Sequence, residues 1–270
     1  VLGVSANTTG LLDLVAVGMV ADVASLVGDV RYLTMRGLIA LQHARRVGLR
    51  ALLESAGLDP AGITAEHIGY VIAPRLNALG RLGDASLCVE LLTTQDLGRA
   101  RVIATMIEQS NDQRKLLVKQ VLDAAEAQIQ REGSRTLEEP VLVLAHASWP
   151  EGVIGIVAGR LAERYGRPAV LIAEGRDGFA RGSARSVAGR DIHAAIAEQA
   201  DLLERYGGHP MAAGFSLAVS RLPEFRQRLA AAVARQAAEG PRPAELVIDA
   251  YVQLGDLSLE LARDLARLGP

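Results

Sequence analysis

Cysteine is almost missing from this chain: Cys88 is the single one in 270 residues. One thiol excludes internal disulfides and a cysteine-built zinc site, and it fits a reducing cytoplasm. Aromatic residues are scarce at 3%, which leaves little material for a broad base-stacking platform. No apolar run approaches the roughly 18 residues of a membrane span, and no basic-then-apolar leader is present, so no membrane partner is expected. Lysine is nearly absent as well. Of 29 basic residues, all but Lys115 and Lys119 are arginine. A GC-rich coding bias explains such a surplus, and so does bidentate recognition of phosphate, which guanidinium does better than ammonium. Position has to separate the two.

What is present is the material of a globular chain. Half the residues are hydrophobic and the formal net charge is −2. There is enough chain for one large or two ordinary domains, and any nucleic-acid site must be a local patch. The chain opens at Val1 in mid-pattern and stops at Leu268-Gly-Pro, so it reads as a piece of a longer protein.

Residues 11–56 carry helical periodicity in two runs, LLDLVAVGMVADVASL and RYLTMRGLIALQHARRVGLRALLESAG, with a stop at Gly57. Thr64 is placed to cap a short helix leading into IAPRLNALGRLGDA, residues 72–85. One long helix is predicted from about Thr94 to Arg131, ended by Gly133. The texture then becomes α/β. VLVLA (141–145), PAVLIA (168–173) and FARGSARS (179–186) read as strands, and 150–166 and 191–207 as helices. GGHPMAAGFSL (207–217) reads as a turn and strand, followed by a helix through Gly240. The fold class is therefore α/β: a mainly helical first part, a long connecting helix, then an α/β domain with a layered sheet. A Pro-rich break, GPRP (240–243), precedes ELVIDAYVQL, the expected start of a further unit.

Several residues are candidates for chemistry. Asp22 ends an otherwise apolar helix, where a carboxylate either binds a metal or simply faces solvent. Asp13, Asp29 and Asp84 compete for the role, and no local pair completes a two-metal site. Arg75, Asn77 and Arg81 in APRLNALGR are spaced to clamp a phosphodiester, or to cap a domain junction through carboxylate pairs. Between 160 and 190, seven arginines, Arg160 and Arg185 among them, face only Glu163, Glu174 and Asp177. There Ser183, Arg185 and Ser186 are placed to cradle a terminal phosphate, with backbone N–H groups around Gly182. His209 follows Gly207 and Gly208, which carry no side chains to shield it. A satisfied structural histidine is the alternative.

The order DLVAVGMVADVASL, APRLNALGRLGDA, WPEGVIGIVAGRLAERYGRPAVLIA, RGSARS and GGHPMAAGFSL resembles the RecJ family. These are single-strand-specific 5′→3′ DNA exonucleases of the DHH phosphoesterase superfamily. The resemblance implies the C-terminal part of a DHH domain over 1–93, a connecting helix over 94–133 and an α/β DHH-associated domain with a mixed sheet over 134–240. An incomplete OB-fold-like domain would begin in 241–270. It implies Mn2+ or Mg2+ at a two-metal site, with Asp22 as a ligand and the remaining ligands outside the chain. It places Arg75 and Arg81 in the catalytic junction near the scissile phosphate. Asn77, Arg160, Ser183, Arg185, Ser186, Gly208 and His209 then bind nucleic acid or its terminal phosphate. The implied substrate is single-stranded DNA with a 5′ end, the implied partners a single-strand-binding protein and a helicase. The fragment alone is expected to bind and not to cleave. Two departures touch the associated domain: Trp149-Pro150-Glu151 stands where the family has Trp-His, and Pro210 follows GGH. Rival readings are a phosphodiesterase of short oligonucleotides or cyclic dinucleotides, and a non-catalytic nucleic-acid-binding relative.

Overall fold

The computed structural model describes residues 8–133, 138–237 and 248–270. They fall into two compact units, Val1–Asp112 with Leu246–Pro270, and Gln113–Glu245. Each is treated by itself.

The first unit is helical. It contains α1 (Leu12–Ala21), α2 (Gly28–Gln42), α3 (Val47–Ser55), α4 (Ala73–Leu82) and α5 (Ser86–Thr93), followed by the start of α6 (Leu97–Glu132). Leu41, Leu49, Leu52, Ile68, Ile72, Leu91, Ile103 and Ile107 form its core. Gly37 lets α1 and α2 meet closely, because a Cβ there would lie 2.6 Å from that of Ala16. The expected single run after α1 is two helices. Ala44 turns left-handed at φ 44°, and Arg46 leaves helical geometry to reach Asp13, Leu92 and Gly10. Those three acceptors outweigh the local helical period. Gly57 at φ 68° ends α3 as the sequence predicts. At 36 residues α6 is about 54 Å long, and Gly133 at φ 69° stops it.

The second unit is built on a five-stranded mixed sheet. Its strands are β1 (Leu142–His146), β2 (Ala169–Glu174), β3 (Phe179–Arg185), β4 (Leu203–His209) and β5 (Ala212–Ala218). Their order is β1-β2-β3-β5-β4, with β1 and β2 parallel and all other pairs antiparallel. The unbroken apolar run of β2 is buried on both faces, whereas β3 alternates. Ala180 and Ala184 enter a core with Phe215, Phe225, Leu229 and Val233, contributed by β5 and α9 (Leu222–Ala237). α7 (Glu151–Tyr165) packs on the opposite face, over β2 and β3.

One helix is shorter than predicted. The period in 191–207 is helical, yet α8 (Ile192–Ala197) stops early and Leu203–His209 is a strand. The GGHPM turn folds that segment back onto β5, and ladder hydrogen bonds override the local pattern. Residues 238–247, with GPRP and the start of ELVIDAYVQL, lie outside the described residues. Beyond them, 248–270 contains a turn at Leu254–Asp256 and α10 (Leu259–Ala266), and no described strand. Among the described residues no helix is long and apolar enough to cross a membrane.

Candidate functional site

Opposed residues in an antiparallel ladder share a face, so the register of three strands lays out a surface. Arg185, Ala212 and His209 form one row. Ser183, Gly214 and Gly207 form the next, and Arg181, Ser216 and Arg205 the third. Successive rows are two residues apart, about 7 Å. On this face Arg205, Gly207 and His209 of β4 are exposed, and Gly214 is exposed beside them. The result is an open half-sheet with a floor of small residues and a polar border.

α7 supplies its wall. A Cβ on Gly155 would lie 2.7 Å from Ser183 Oγ and 3.2 Å from Arg185 Nη2. Gly159, one helical turn on, faces the Arg185 stem at 3.8 Å. The two glycines let the Arg185 side chain lie along the helix backbone. Arg185 Nη1 donates to Ser183 Oγ at 3.3 Å and to Ala184 O at 2.9 Å, which fixes guanidinium and hydroxyl side by side. Gly155, Gly159 and Gly214 were not among the predicted site residues. The signal that marks the first two is a glycine pair at i, i+4 within the apolar run VIGIVAG of an amphipathic helix.

Gly208 has φ 151°, and a Cβ there would lie 2.6 Å from the Cα of Ala213. Only glycine lets the hairpin close and bring His209 opposite Ala212. His209 is exposed at the strand end, so it is not a buried structural histidine. Arg160 is exposed on α7.

Two expectations about this site are corrected. The backbone around Gly182 does not cradle an anion, because β3 is a central strand laddered to β2 on one side and β5 on the other. Ser186 is turned inward and buried, its hydroxyl donating to Arg190 O at 2.8 Å. That bond ties a loop and takes the proton a phosphate oxygen would need. At the far end Arg181 is paired with Asp177 at 2.8 Å and Glu151 at 3.2 Å. Its hydrogen bond holds the Asp177 carboxyl below the ordinary carboxylate range.

In the helical unit the PRLNALGR residues separate. Arg75 clasps Glu108 through Nε at 2.6 Å and Nη2 at 3.0 Å, and donates to Val71 O at 2.9 Å. This is the carboxylate-pair alternative, made with a residue 33 positions away. Arg75→Ala is expected to cost about 1.5–3 kcal/mol of stability, the scale of hydrogen bonds to charged groups, read by urea unfolding. Asn77 and Arg81, four apart and exposed, line one shallow groove of about 470 Å3 with Leu76, Gly80, Ala85, Cys88 and Leu92. Burial raises the Cys88 thiol pKa.

Of the competing acids, Asp13 is bound bidentately by Arg46, and Asp84 accepts from the Ser86 amide and hydroxyl, which lower its pKa. Asp22 is exposed at the end of α1, followed by Val23 at φ 56°. A carboxylate at a helix C-terminus opposes the helix dipole, and a β-branched residue at positive φ is strained. Neither helps the fold. Among the described residues no three His, Cys, Asp or Glu side chains gather to hold a metal, so Asp22 does not form such a site with its described neighbours.

Residues 138–235 match the DHHA1 domain family. The single-stranded-DNA-specific exonuclease RecJ of Salmonella typhimurium is 37% identical over 272 residues, covering 98% of this chain. The chain is homologous to the RecJ exonucleases over nearly its whole length. It covers 47% of the Salmonella protein. RecJ of Thermus thermophilus, crystallised in complex with Mn2+, superposes with a TM-score of 0.83 at 35% identity. That match covers 97% of this chain and 38% of the crystallised one. The same protein in complex with Mg2+ gives 0.81 at 34% identity, covering 97% of this chain and 40% of that one. The chain thus spans less than half the length of these relatives. The mixed five-stranded sheet is that of the DHHA1 domain.

Proposed function

We propose that this chain is the strand-holding part of a metal-dependent exonuclease that hydrolyses single-stranded DNA from a 5′ end. One observation carries the reading: Ser183, Arg185 and His209, 26 residues apart at the extremes, are brought to one face of an open half-sheet by the β3-β5-β4 register. Ser183 and Arg185 hold the terminal phosphate as a hydroxyl and guanidinium donor pair, and His209 faces it from the hairpin. Arg160 adds positive charge from α7. In the helical unit Asn77 and Arg81 contact the strand backbone, and Arg75 positions that helix through Glu108.

In this reading residues 1–93 are the end of a DHH domain and 94–133 its connecting helix. Asp22 contributes one ligand to a Mn2+ or Mg2+ site whose other ligands lie outside the chain. A single-strand-binding protein and a helicase are the expected partners in delivering the strand.

The test is fluorescence anisotropy of the 270-residue chain with one oligonucleotide, 5′-phosphorylated or 5′-hydroxyl, at two salt concentrations. Tighter, salt-sensitive binding of the phosphorylated strand is expected, without hydrolysis in Mn2+ or Mg2+. Equal affinity for both ends would remove terminal-phosphate recognition from this chain.

A further inference from the structure

The far row of the open half-sheet is not needed for a terminal phosphate, yet it has the chemistry of a second contact. Phe179, Arg181, Glu204, Arg205, Tyr206 and Ser216 are among the residues lining a groove of about 580 Å3 there. Arg205 is exposed and has no carboxylate within ion-pair distance among the described residues, in contrast to Arg181 beside it. Phe179 is 40% exposed, unusual in a chain with three phenylalanines. Gly214, in the adjoining Ser183 row and also lining this groove, keeps the floor open. The bulge between Leu203 and Arg205 sets Arg205 opposite Ser216.

We propose that Arg205, Ser216 and Phe179 form a second nucleotide subsite, so that the DHHA1 domain grips one single strand at two points. This rests on the reading of Ser183, Arg185 and His209 as the 5′-phosphate pocket. The rows of Arg185 and Arg181 are four residues apart along β3, about 14 Å. At about 3.4 Å per stacked nucleotide that is roughly four nucleotides, fewer if the strand is unstacked and extended. Arg205 meets a backbone phosphate and Phe179 the face of a base. A guanidinium without a described counter-ion and one aromatic ring are the two elements that sequence-independent single-strand sites combine. Glu204 disfavours a free anion at the mouth of the groove, which suits a strand anchored elsewhere.

The probes are 5′-phosphorylated octathymidylate and thymidine 5′-phosphate, the second measured as a competitor of the first. Arg205→Ala is expected to weaken octamer binding roughly tenfold, and to lower the slope of log affinity against log salt by about 0.7, one phosphate contact on a single strand. Phe179→Ala is expected to weaken it roughly tenfold through lost stacking, with the slope unchanged. The mononucleotide's own inhibition constant stays at the parent value in both variants. Octamer affinity equal to the parent in either variant overturns the subsite. So does equal weakening of octamer and mononucleotide, which would place Arg205 in the end pocket. Arg185→Ala tests the underlying reading separately, because it must weaken the mononucleotide too. Failure of the parent chain to bind the octamer overturns both.

Discussion

Replacing Arg185 by alanine is expected to weaken binding of a 5′-phosphorylated single strand by about 1.5–3 kcal/mol, the scale of a charge-assisted hydrogen bond. That is roughly tenfold to hundredfold in affinity. The 5′-hydroxyl strand should lose far less. The size of the effect follows from preorganisation. The Arg185 stem lies against the Gly155–Gly159 strip of α7, and its Nη1 is already bonded to Ser183 Oγ and Ala184 O. The guanidinium therefore loses little freedom when an anion arrives. Lysine should not substitute, because an ammonium lacks the planar fork that reaches two phosphate oxygens while keeping those bonds. Gly155→Ala should mimic part of the loss, since the added methyl displaces Ser183 Oγ and Arg185 Nη2 together. Equal affinity of Arg185→Ala and parent for the phosphorylated strand would take Arg185 out of the site.

Gly182→Ala should destabilise the sheet unit by about 3 kcal/mol. A Cβ at 182 would overlap the ring of Phe215, which itself packs tilted against Phe225 at 4.6 Å between centroids. β3 is pinned between β2 and β5, so the strand cannot shift away, and the ring has only a filled core behind it. Gly207→Ala is the control: nothing lies within 4 Å of a Cβ there, and a change within about 0.5 kcal/mol is expected. Trp149, the single tryptophan, is 5% exposed and belongs to the sheet unit, so its fluorescence reports unfolding of that unit alone. A Gly182→Ala transition within experimental error of the parent would mean that the core around Phe215 is loose enough to repack.

Sequence patterns captured the elements better than the site. The apolar run of β2, the alternation of β3 and the glycine stops at 57 and 133 are local signals, and each produced the expected element. The failures share a cause. The strand at Leu203–His209 has a helical period, and only its pairing with β5 made it extended. The break at 43–46 is set by Arg46 reaching Asp13, a partner far away along the chain.

The site shows the same division. Composition and motif order marked the arginines of 160–190, the GSARS strand and the GGH turn as a phosphate site, because small residues beside fixed donors are a local feature. Which of those side chains meet was decided by register. Inserting β5 between β3 and β4 lines His209 up with Arg185, and a one-residue slip would turn the whole row to the other face. Arg75 looked the same in sequence as Arg81. Glu108, 33 residues on, occupies the guanidinium of Arg75, while Arg81 remains exposed on the groove it shares with Asn77. Ser186 sits one residue past Arg185, yet leaving the strand turned its hydroxyl into a loop tie. By itself, then, the sequence determined the types of most elements, their order and the chemistry of the donors. The tertiary structure decided which donors face the same space, because ladder register and ion pairs join residues that no local window contains.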